Sequence, residues 1–342
     1  MTRRAVVLFN LGGPDRLEAV EPFLFNLFND PAVMRLPGLV RRPLGKFIAG
    51  RRARIARGIY EKLGGGSPLL ANTEAQAAAL AERLGSDHRV FVAMRYWHPF
   101  ADETARAVKE WGAEEIVLVP LYPQFSTTTT ASSLSDWHRA AGATGLTAPT
   151  RAICCYPDEP GFIAAAAAAI ETILRNWRAR EPKRILFSAH GLPERIVAQG
   201  DPYPWQVART VAAIRAALGG ALDGIDSVLC YQSRVGPMKW LGPSIDSEVR
   251  RAGAAKIGLL VVPVAFVSEH SETLVELDVE YKHLAGRVGV PTYLRAATVG
   301  TNDAFIAGLA RLVATAAAPC GSASGARICP AQFGACACNV AA

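Results

Sequence analysis

The sequence predicts an α/β protein with two similar, doubly wound parallel-sheet domains that face each other across a cleft. Its 342 residues suffice for two domains of ordinary size. Short apolar runs that end near glycine or proline alternate with helical stretches of about ten to fifteen residues, as in parallel strand–helix–strand units. Two strings also recur: Leu8-Phe-Asn-Leu-Gly-Gly-Pro14 resembles Leu186-Phe-Ser-Ala-His-Gly-Leu-Pro193, and Val119-Pro-Leu-Tyr-Pro-Gln-Phe-Ser126 resembles Val262-Pro-Val-Ala-Phe-Val-Ser268. The two halves are therefore expected to share one fold.

The first domain is expected to span residues 1–150. Apolar runs predict strands at Ala5–Phe9, Arg89–Arg95, Glu115–Pro120 and Thr150–Cys155. Helical patterns with glycine or proline close to their ends occupy Glu18–Asn29, Asn72–Gly85, Asp102–Trp111 and a stretch that runs up to Ala140. Between the first two of these helices lies the loop Gly64-Gly-Gly-Ser-Pro68, whose glycines let backbone amides approach a ligand, although a flexible turn is the default interpretation.

The second domain is expected to span residues 151–317, and a cysteine-rich tail to span residues 318–342. Strands are predicted around Ile185–Ser188, Ser227–Tyr231 and Lys256–Pro263, and helices at Gly161–Arg180, Trp205–Gly219 and about Glu269–Leu284. The strand that begins at Ile185 leads to His190, which then lies at the carboxyl end of a parallel strand, where open α/β sheets bind their ligands. A core histidine bonded to a backbone carbonyl is the alternative for a lone histidine at this position.

The composition argues against a membrane-spanning or secreted protein. Half of the residues are hydrophobic and a fifth are charged, which is typical of a soluble globular enzyme. No apolar run is long enough to cross a membrane and no signal peptide is recognisable, so we expect a cytoplasmic protein, free or attached peripherally to the inner membrane, with reduced or metal-bound cysteines.

The net charge of +7 is concentrated in a basic, apolar lip at about residues 20–58. From Pro31 to Tyr60 there is no acid, while the bases are Arg35, Arg41, Arg42, Lys46, Arg51, Arg52, Arg54 and Arg57. Such a block suits an anionic partner, and the apolar residues among the bases favour a membrane surface and an apolar ligand over nucleic acid. A solvated helix surface is the alternative.

An acidic ladder follows the last predicted strand. On an α-helix, Glu269, Glu272, Glu276 and Glu280 fall on one face, where like charges repel unless a cation lies among them. The ladder is therefore either a track for a hydrated divalent cation or a solvated face paired with arginines. The loop from Gln232 to Pro243 contains glycine, methionine, tryptophan and proline, a composition that suits a slot for a flat, apolar ligand.

Seven strings carry a family resemblance: Gly64-Gly-Gly-Ser-Pro68, Arg95-Tyr-Trp-His-Pro99, Ser188-Ala-His-Gly-Leu-Pro193, Gly200-Asp-Pro-Tyr-Pro204, Gln232-Ser-Arg-Val-Gly-Pro-Met238, Trp240-Leu-Gly-Pro243 and His270-Ser-Glu-Thr-Leu274. With them, the sequence resembles the ferrochelatase family over nearly its whole length, from Leu11 to about Leu312. The resemblance implies a chelatase-type fold and a lyase that inserts ferrous iron into protoporphyrin IX, the last step of haem synthesis.

The resemblance also implies site residues. The catalytic metal-site pair falls on His190 and Glu272, and the iron path on Glu269, His270 and Glu276. The porphyrin-pocket positions fall on Met34, Arg95, Tyr96, Val235, Trp240 and Phe266, and the propionate contacts on Arg52, Tyr60, Ser67 and Ser233. A lysine that some relatives use near the propionates is Ile55 here, and Arg54 or Arg57 is available to replace it.

The implied chemistry fits these residue types. Metal insertion removes pyrrole protons while a cation loses water, and a neutral imidazole can accept a proton near neutral pH. A planar ring hides its nitrogen lone pairs, so the pocket is expected to hold the porphyrin puckered. Coproporphyrin-type chelation, insertion of another metal and non-catalytic haem or metal binding are the alternatives.

The tail contains Cys320, Cys329, Cys336 and Cys338. Clustered cysteines without a secretory signal favour a metal site over disulfides, and both a [2Fe–2S] cluster and zinc suit such thiolates. The resemblance implies a bacterial-type [2Fe–2S] cluster on Cys329, Cys336 and Cys338 that stabilises rather than catalyses. For the fourth ligand, where animal relatives use the position of Thr127, the candidates are Cys155, which we prefer, Cys154 and Cys320. Cys230 is expected in the core.

Overall fold

The computed structural model describes residues 2–234, 236, 238–316, 320–322 and 326–339. The strands are β1 (Arg4–Asn10), β2 (His88–Met94), β3 (Glu115–Pro120), β4 (Thr150–Cys155), β5 (Lys183–His190), β6 (Asp226–Gln232), β7 (Gly258–Pro263), β8 (Tyr293–Arg295) and β9 (Cys320–Ser322). The helices are α1 (Val20–Phe28), α2 (Gly38–Glu61), α3 (Leu69–Leu84), α4 (Ala101–Trp111), α5 (Thr130–Thr144), α6 (Pro160–Asn176), α7 (Glu194–Val197), α8 (Tyr203–Leu218), α9 (Ile245–Ala254), the π-helix Glu272–Tyr281, α10 (Lys282–Val288) and α11 (Asp303–Thr315). Among the described residues, none of the helices combines the length and apolar character that a bilayer span requires.

The chain divides into two compact units, one comprising residues 1–155, 309–328 and 336–342 and the other residues 156–308 and 329–335. The sheet of the first unit has the order β2-β1-β3-β4-β9, and every pair of neighbouring strands is parallel. Its core lies between this sheet and α4 and α5, where Phe9, Leu118 and Trp137 are buried together because the apolar strands need cover.

The sheet of the second unit has the order β6-β5-β7-β8 and is also parallel. Counted within its own unit, each sheet has its first strand between its second and third, so the two units share one strand order, as the recurring strings predicted. The register places His190 opposite Gln232 and Ser188 opposite Pro263. The carboxyl ends of β5, β6 and β7 therefore lie side by side and bring His190 close to the segments that follow Gln232 and Pro263.

The prediction of two similar parallel-sheet α/β domains is confirmed, and the strand bounds agree to within a residue or two. The cleft between the domains stays a prediction. The helix predicted at about Glu269–Leu284 differs in kind, because Glu272–Tyr281 is a π-helix with wider turns, continued by α10. The tail cysteines are divided between the two units, since Cys329 belongs to the second unit whereas Cys336 and Cys338 belong to the first.

Candidate active site

His190 ends β5 with a side chain that is 41% exposed. Its Nδ1 lies 2.6 Å from the carbonyl oxygen of Gly191. Because a carbonyl can only accept, Nδ1 donates this hydrogen bond, so in the neutral form of the ring Nε2 is the nitrogen that has the lone pair. The backbone carbonyl of His190 accepts a hydrogen bond of 3.1 Å from the hydroxyl of Tyr203 at the start of α8. The ring is thus oriented with its basic nitrogen available.

Glu272, the first residue of the π-helix, faces this basic nitrogen. Its Oε1 lies 3.6 Å from Nε2 of His190, and its Oε2 lies 3.9 Å from Nε2 of His270. His270 is buried, donates from Nδ1 to the carbonyl of Ser268 at 3.0 Å and packs its ring against Phe266 at 4.8 Å. Both imidazoles therefore turn an Nε2 atom toward the same carboxylate.

Glu276 lies one turn further along the π-helix and is hydrogen-bonded on both oxygens. Oε1 accepts from the backbone N–H of Ser233 at 2.8 Å, and Oε2 accepts from the hydroxyl of Ser233 at 2.5 Å and from Nε2 of Gln232 at 3.0 Å. Burial and the negative charge of Glu272 raise the pKa of Glu276, although these hydrogen bonds oppose the rise. Glu276 is therefore easier to protonate than an ordinary glutamate.

Ser233 lies between the two carboxylates. Besides its bonds to Glu276, its hydroxyl is 3.4 Å from Oε2 of Glu272. Its φ of 61° is in the left-handed region, which is strained for a residue with a Cβ, and such residues are enriched at functional sites. Ser233, which the resemblance implies as a propionate contact, thus binds the carboxylates of Glu272 and Glu276 with its hydroxyl in this structure.

Glu269 lies apart from the contacts of His190. Its Oε1 accepts from Nη1 of Arg295 at 2.8 Å and from the backbone N–H of Thr298 at 2.9 Å, and Arg295 binds both oxygens of Asp278. Burial acts to raise the pKa of Glu269, but hydrogen bonds from Thr273 and Arg295 and the charge of Arg295 outweigh it, so the pKa is lowered. The acidic ladder is thus divided, with Glu269 ion-paired and Glu272 and Glu276 facing His190 and Ser233.

Three predicted pocket residues in the first unit converge on Asp30. The buried carboxylate of Asp30 accepts from the hydroxyl of Tyr96 at 2.7 Å and lies 2.9 Å from Nη2 of Arg95. Its carbonyl accepts from the backbone N–H of Met34 at 2.8 Å. Arg95 also donates from Nε to Ser132 at 2.7 Å, so its guanidinium has a fixed orientation.

The predicted propionate contacts of the first unit lie on and after α2. Arg52 and Tyr60 share a face of this helix because eight residues make slightly more than two turns. The guanidinium of Arg52 lies 5.8 Å from the ring centre of Phe28, and Ser67 donates its backbone N–H to the carbonyl of Pro14 at 2.7 Å. In the second unit, Trp240 is buried and lies beside Gly191, while Val235 lies outside the described residues.

The cysteines fall into two sets. In the first unit, Cys154 has its Sγ 3.3 Å from those of both Cys155 and Cys338, and all three lie in an apolar cluster with Phe125. In the second unit, Cys329 accepts a hydrogen bond from Nε2 of Gln206 at 3.1 Å. The side chain of Cys320 lies outside the described residues.

Disulfides and ready metal sites are both missing from the described part of the chain. The cysteine side chains described there are not joined in disulfides. Over the same residues, no group of three or more His, Cys, Asp and Glu side chains is arranged to hold a metal ion. Burial raises the pKa of the Cys230 thiol well above its ordinary value, which agrees with the predicted core position.

Sequence reasoning missed three residues that shape these sites: Gln232, Tyr203 and Asp30. Gln232 and Tyr203 lie inside the quoted strings, but nothing in their residue types indicated which atoms they would bind. Asp30 lies between the predicted helix Glu18–Asn29 and Pro31, and the sequence analysis assigns it no role. Gln232 lies beside His190 because of the parallel register of β5 with β6, which the sequence alone does not specify.

Comparison with known proteins shows the family of the chain. Residues 3–317 match the family model described as ferrochelatase. The chain is 53% identical to the ferrochelatase of Phenylobacterium zucineum (strain HLK1), an alignment that covers 98% of each chain, and 52% identical to that of Caulobacter vibrioides (strain NA1000 / CB15N), with 92% of this chain and 90% of the relative covered. "SirB from Bacillus subtilis with Fe3+" has a similar fold, with a TM-score of 0.53 at 13% identity over 93% of this chain and 96% of that chain. The chain belongs to the ferrochelatase family.

Proposed function

We propose that the protein inserts ferrous iron into protoporphyrin IX to give protohaem, with His190 as the general base and Glu272 as its partner. The observation that carries this proposal is the 3.6 Å approach of Glu272 to Nε2 of His190, whose other nitrogen is occupied by the Gly191 carbonyl. An unprotonated imidazole nitrogen beside a carboxylate is what proton removal near neutral pH requires. A protein that only bound haem would not need this pair.

In the proposed step, two pyrrole N–H bonds break, the protons leave through the protein and the ferrous ion binds the ring nitrogens without a change of oxidation state. Nε2 of His190 accepts a proton, and the negative charge of Glu272 stabilises the imidazolium that forms. The Ser233 hydroxyl connects Glu272 to Glu276, so the proton can pass to the carboxylate with the raised pKa. His190 is then ready for the second proton.

The same carboxylates are proposed to lead iron to the ring. Glu276, Glu272 and His270 offer oxygen and nitrogen ligands that suit a divalent iron ion as it loses water. Glu269 supports this path indirectly in our proposal, because Arg295 holds its carboxylate and ties the loop before the π-helix to Asp278. Its contact with iron, predicted from the sequence, stays a prediction.

The porphyrin is proposed to contact Met34, Arg95, Tyr96, Val235, Trp240 and Phe266, and its propionates Arg52, Tyr60 and Ser67. Ile55 is 74% exposed and apolar, so Arg52 is the cation we expect to matter most for the propionates. The experiment that tests substrate choice is anaerobic turnover with protoporphyrin IX and coproporphyrin III, each with ferrous iron and with zinc. We expect the highest kcat/KM for protoporphyrin IX with iron, and a higher value for coproporphyrin III would favour the alternative chelatase.

We also propose a [2Fe–2S] cluster held by Cys329, Cys336, Cys338 and one of the two cysteines that end β4. The Sγ atoms of Cys154, Cys155 and Cys338 already approach each other in a buried apolar setting, which suits thiolate ligands of such a cluster. When bound, the cluster would supply a covalent link between the tail and β4. No step of the insertion reaction requires it.

For the cluster, Cys338→Ser is expected to give a protein without the visible absorption, iron and sulfide of the wild type, because one thiolate ligand is lost. Cys230→Ser is the matched control, since Cys230 is a buried core thiol, and it should keep all three signals. Cys154→Ser and Cys155→Ser then identify the fourth ligand. A wild-type protein that binds zinc and contains no sulfide would refute the cluster.

We further propose that α2 attaches the protein peripherally to anionic membranes. On this basic helix, Val40, Phe47 and Ile55 are 52%, 63% and 74% exposed, and the helical period places them on one face with Arg51 among them. Exposed apolar residues beside bases are typical of helices that lie in a membrane interface.

For membrane binding, the double variant Arg51→Gln/Arg54→Gln is expected to lower binding to anionic phospholipid vesicles. Each arginine near such a surface contributes about 1 kcal/mol, so the pair should change the partition coefficient by roughly thirtyfold. Arg175→Gln/Arg178→Gln makes the same charge change at exposed positions outside α2 and should have little effect. Equal loss in both variants would show a non-specific charge effect and contradict the proposal.

A further inference from the structure

Gln232 ends β6 directly opposite His190, and both its backbone and its side chain bind parts of the candidate active site. Its carbonyl accepts from the backbone N–H of Gly191 at 2.8 Å. Its side chain is fully buried, and Oε1 accepts from the hydroxyl of Ser188 at 2.8 Å. One residue is therefore bonded on both sides of His190, to Ser188 and to Gly191.

The other end of the same amide binds the π-helix. Nε2 donates to the backbone carbonyl of Glu272 at 3.0 Å and to Oε2 of Glu276 at 3.0 Å. The side chain thus spans from the strand that carries His190 to the helix that carries both carboxylates.

Only an amide can make this set of bonds, because it combines an acceptor oxygen with two N–H donors. An ionised glutamate at this position would have no donor and would add a third negative charge beside Glu272 and Glu276. A methionine would fill a similar volume but make none of the bonds. The residue type at 232 therefore matters for hydrogen bonding beyond its packing.

We infer that Gln232 is a positioning residue for iron insertion, which fixes the first turn of the π-helix, and with it Glu272 and Glu276, against the His190 strand. This inference rests on the proposed function and extends it to a residue that need not touch either substrate. Groups that orient metal-site ligands in this way are commonly worth a factor of about 10 to 100 in metal affinity or activity.

The test is the iron and porphyrin kinetics of Gln232→Met. We expect kcat/KM for ferrous iron to fall by about 10- to 100-fold, while protoporphyrin binding, measured by fluorescence, stays at the wild-type value. Gln232→Glu should lose more than Gln232→Met, and Ser188→Ala should lose less but in the same direction. In a Glu276→Gln background the effect of Gln232→Met should shrink, because the charged partner is already gone.

Wild-type iron kinetics in Gln232→Met, or an equal loss of porphyrin binding, would overturn the inference. If Gln232→Met does not fold, wild-type iron kinetics in Ser188→Ala would overturn it instead. His190→Ala is measured in parallel, so that failure of the proposed function can be distinguished from failure of the role inferred for Gln232. A wild-type protein that forms no haem would refute the proposed function, and an active His190→Ala protein would refute the role of His190 as the base. An inactive His190→Ala protein beside a normal Gln232→Met protein would refute only the role of Gln232.

Discussion

Replacement of His190 by alanine is expected to reduce iron insertion by a factor of about 10² to 10⁴, the range that a positioned general base contributes. The reason is that Nε2 faces Glu272 and is the nitrogen whose lone pair the Nδ1–Gly191 bond leaves to accept a proton, and alanine leaves no group there to accept a pyrrole proton. Steady-state insertion measured anaerobically gives kcat, and fluorescence titration gives the affinity for protoporphyrin IX, which should be retained.

His283→Ala is the matched control for this variant, because His283 is an exposed histidine on α10 of the same unit. It should insert iron at the wild-type rate. Near-normal turnover in His190→Ala would contradict the assigned role. So would a parallel loss of porphyrin binding, because the defect would then lie in the pocket rather than in proton transfer.

Replacement of Glu272 by glutamine is expected to lower kcat/KM for ferrous iron by about 10- to 100-fold. The amide keeps the shape of the side chain but removes the negative charge that lies within 4 Å of the Nε2 atoms of both His190 and His270. The imidazolium formed during proton removal then lacks its counter-charge, and the cation lacks a carboxylate ligand. Initial rates over a range of iron concentrations, at saturating porphyrin, measure the effect.

Glu280→Gln serves as the control, because Glu280 lies on the same π-helix but is exposed to solvent. It makes the same change of charge and should leave the kinetics unchanged. If both variants lose activity equally, the overall acidity of the helix matters and the specific position of Glu272 does not.

Much of the fold could be predicted from the sequence because a buried parallel strand has a short, continuous run of apolar residues. The predicted strand Glu115–Pro120 has the observed bounds, and His190 lies at a strand end as expected. Shorter or less apolar elements were missed, such as β8, with three half-buried residues, and α9, despite the capping hydroxyl of Ser244.

The site was less accessible to sequence reasoning. The spacing of an α-helix predicts Glu269 on one face with Glu272 and Glu276, but Glu272–Tyr281 is a π-helix and Glu269 is ion-paired with Arg295. That arginine comes from β8, and no local pattern links it to Glu269. The contacts of Gln232 likewise depend on strand register, which single-sequence patterns do not specify.

The central claim is that the His190–Glu272 pair serves the insertion of ferrous iron into a porphyrin. Anaerobic mixing of the purified protein with ferrous iron and protoporphyrin IX tests it most directly, with haem measured as its pyridine complex. The account predicts that the wild-type protein converts the free-base spectrum to that of haem and that His190→Ala leaves the bound porphyrin metal-free. A wild-type protein that binds the porphyrin but forms no haem, or a His190→Ala variant that forms it at the wild-type rate, would contradict the account.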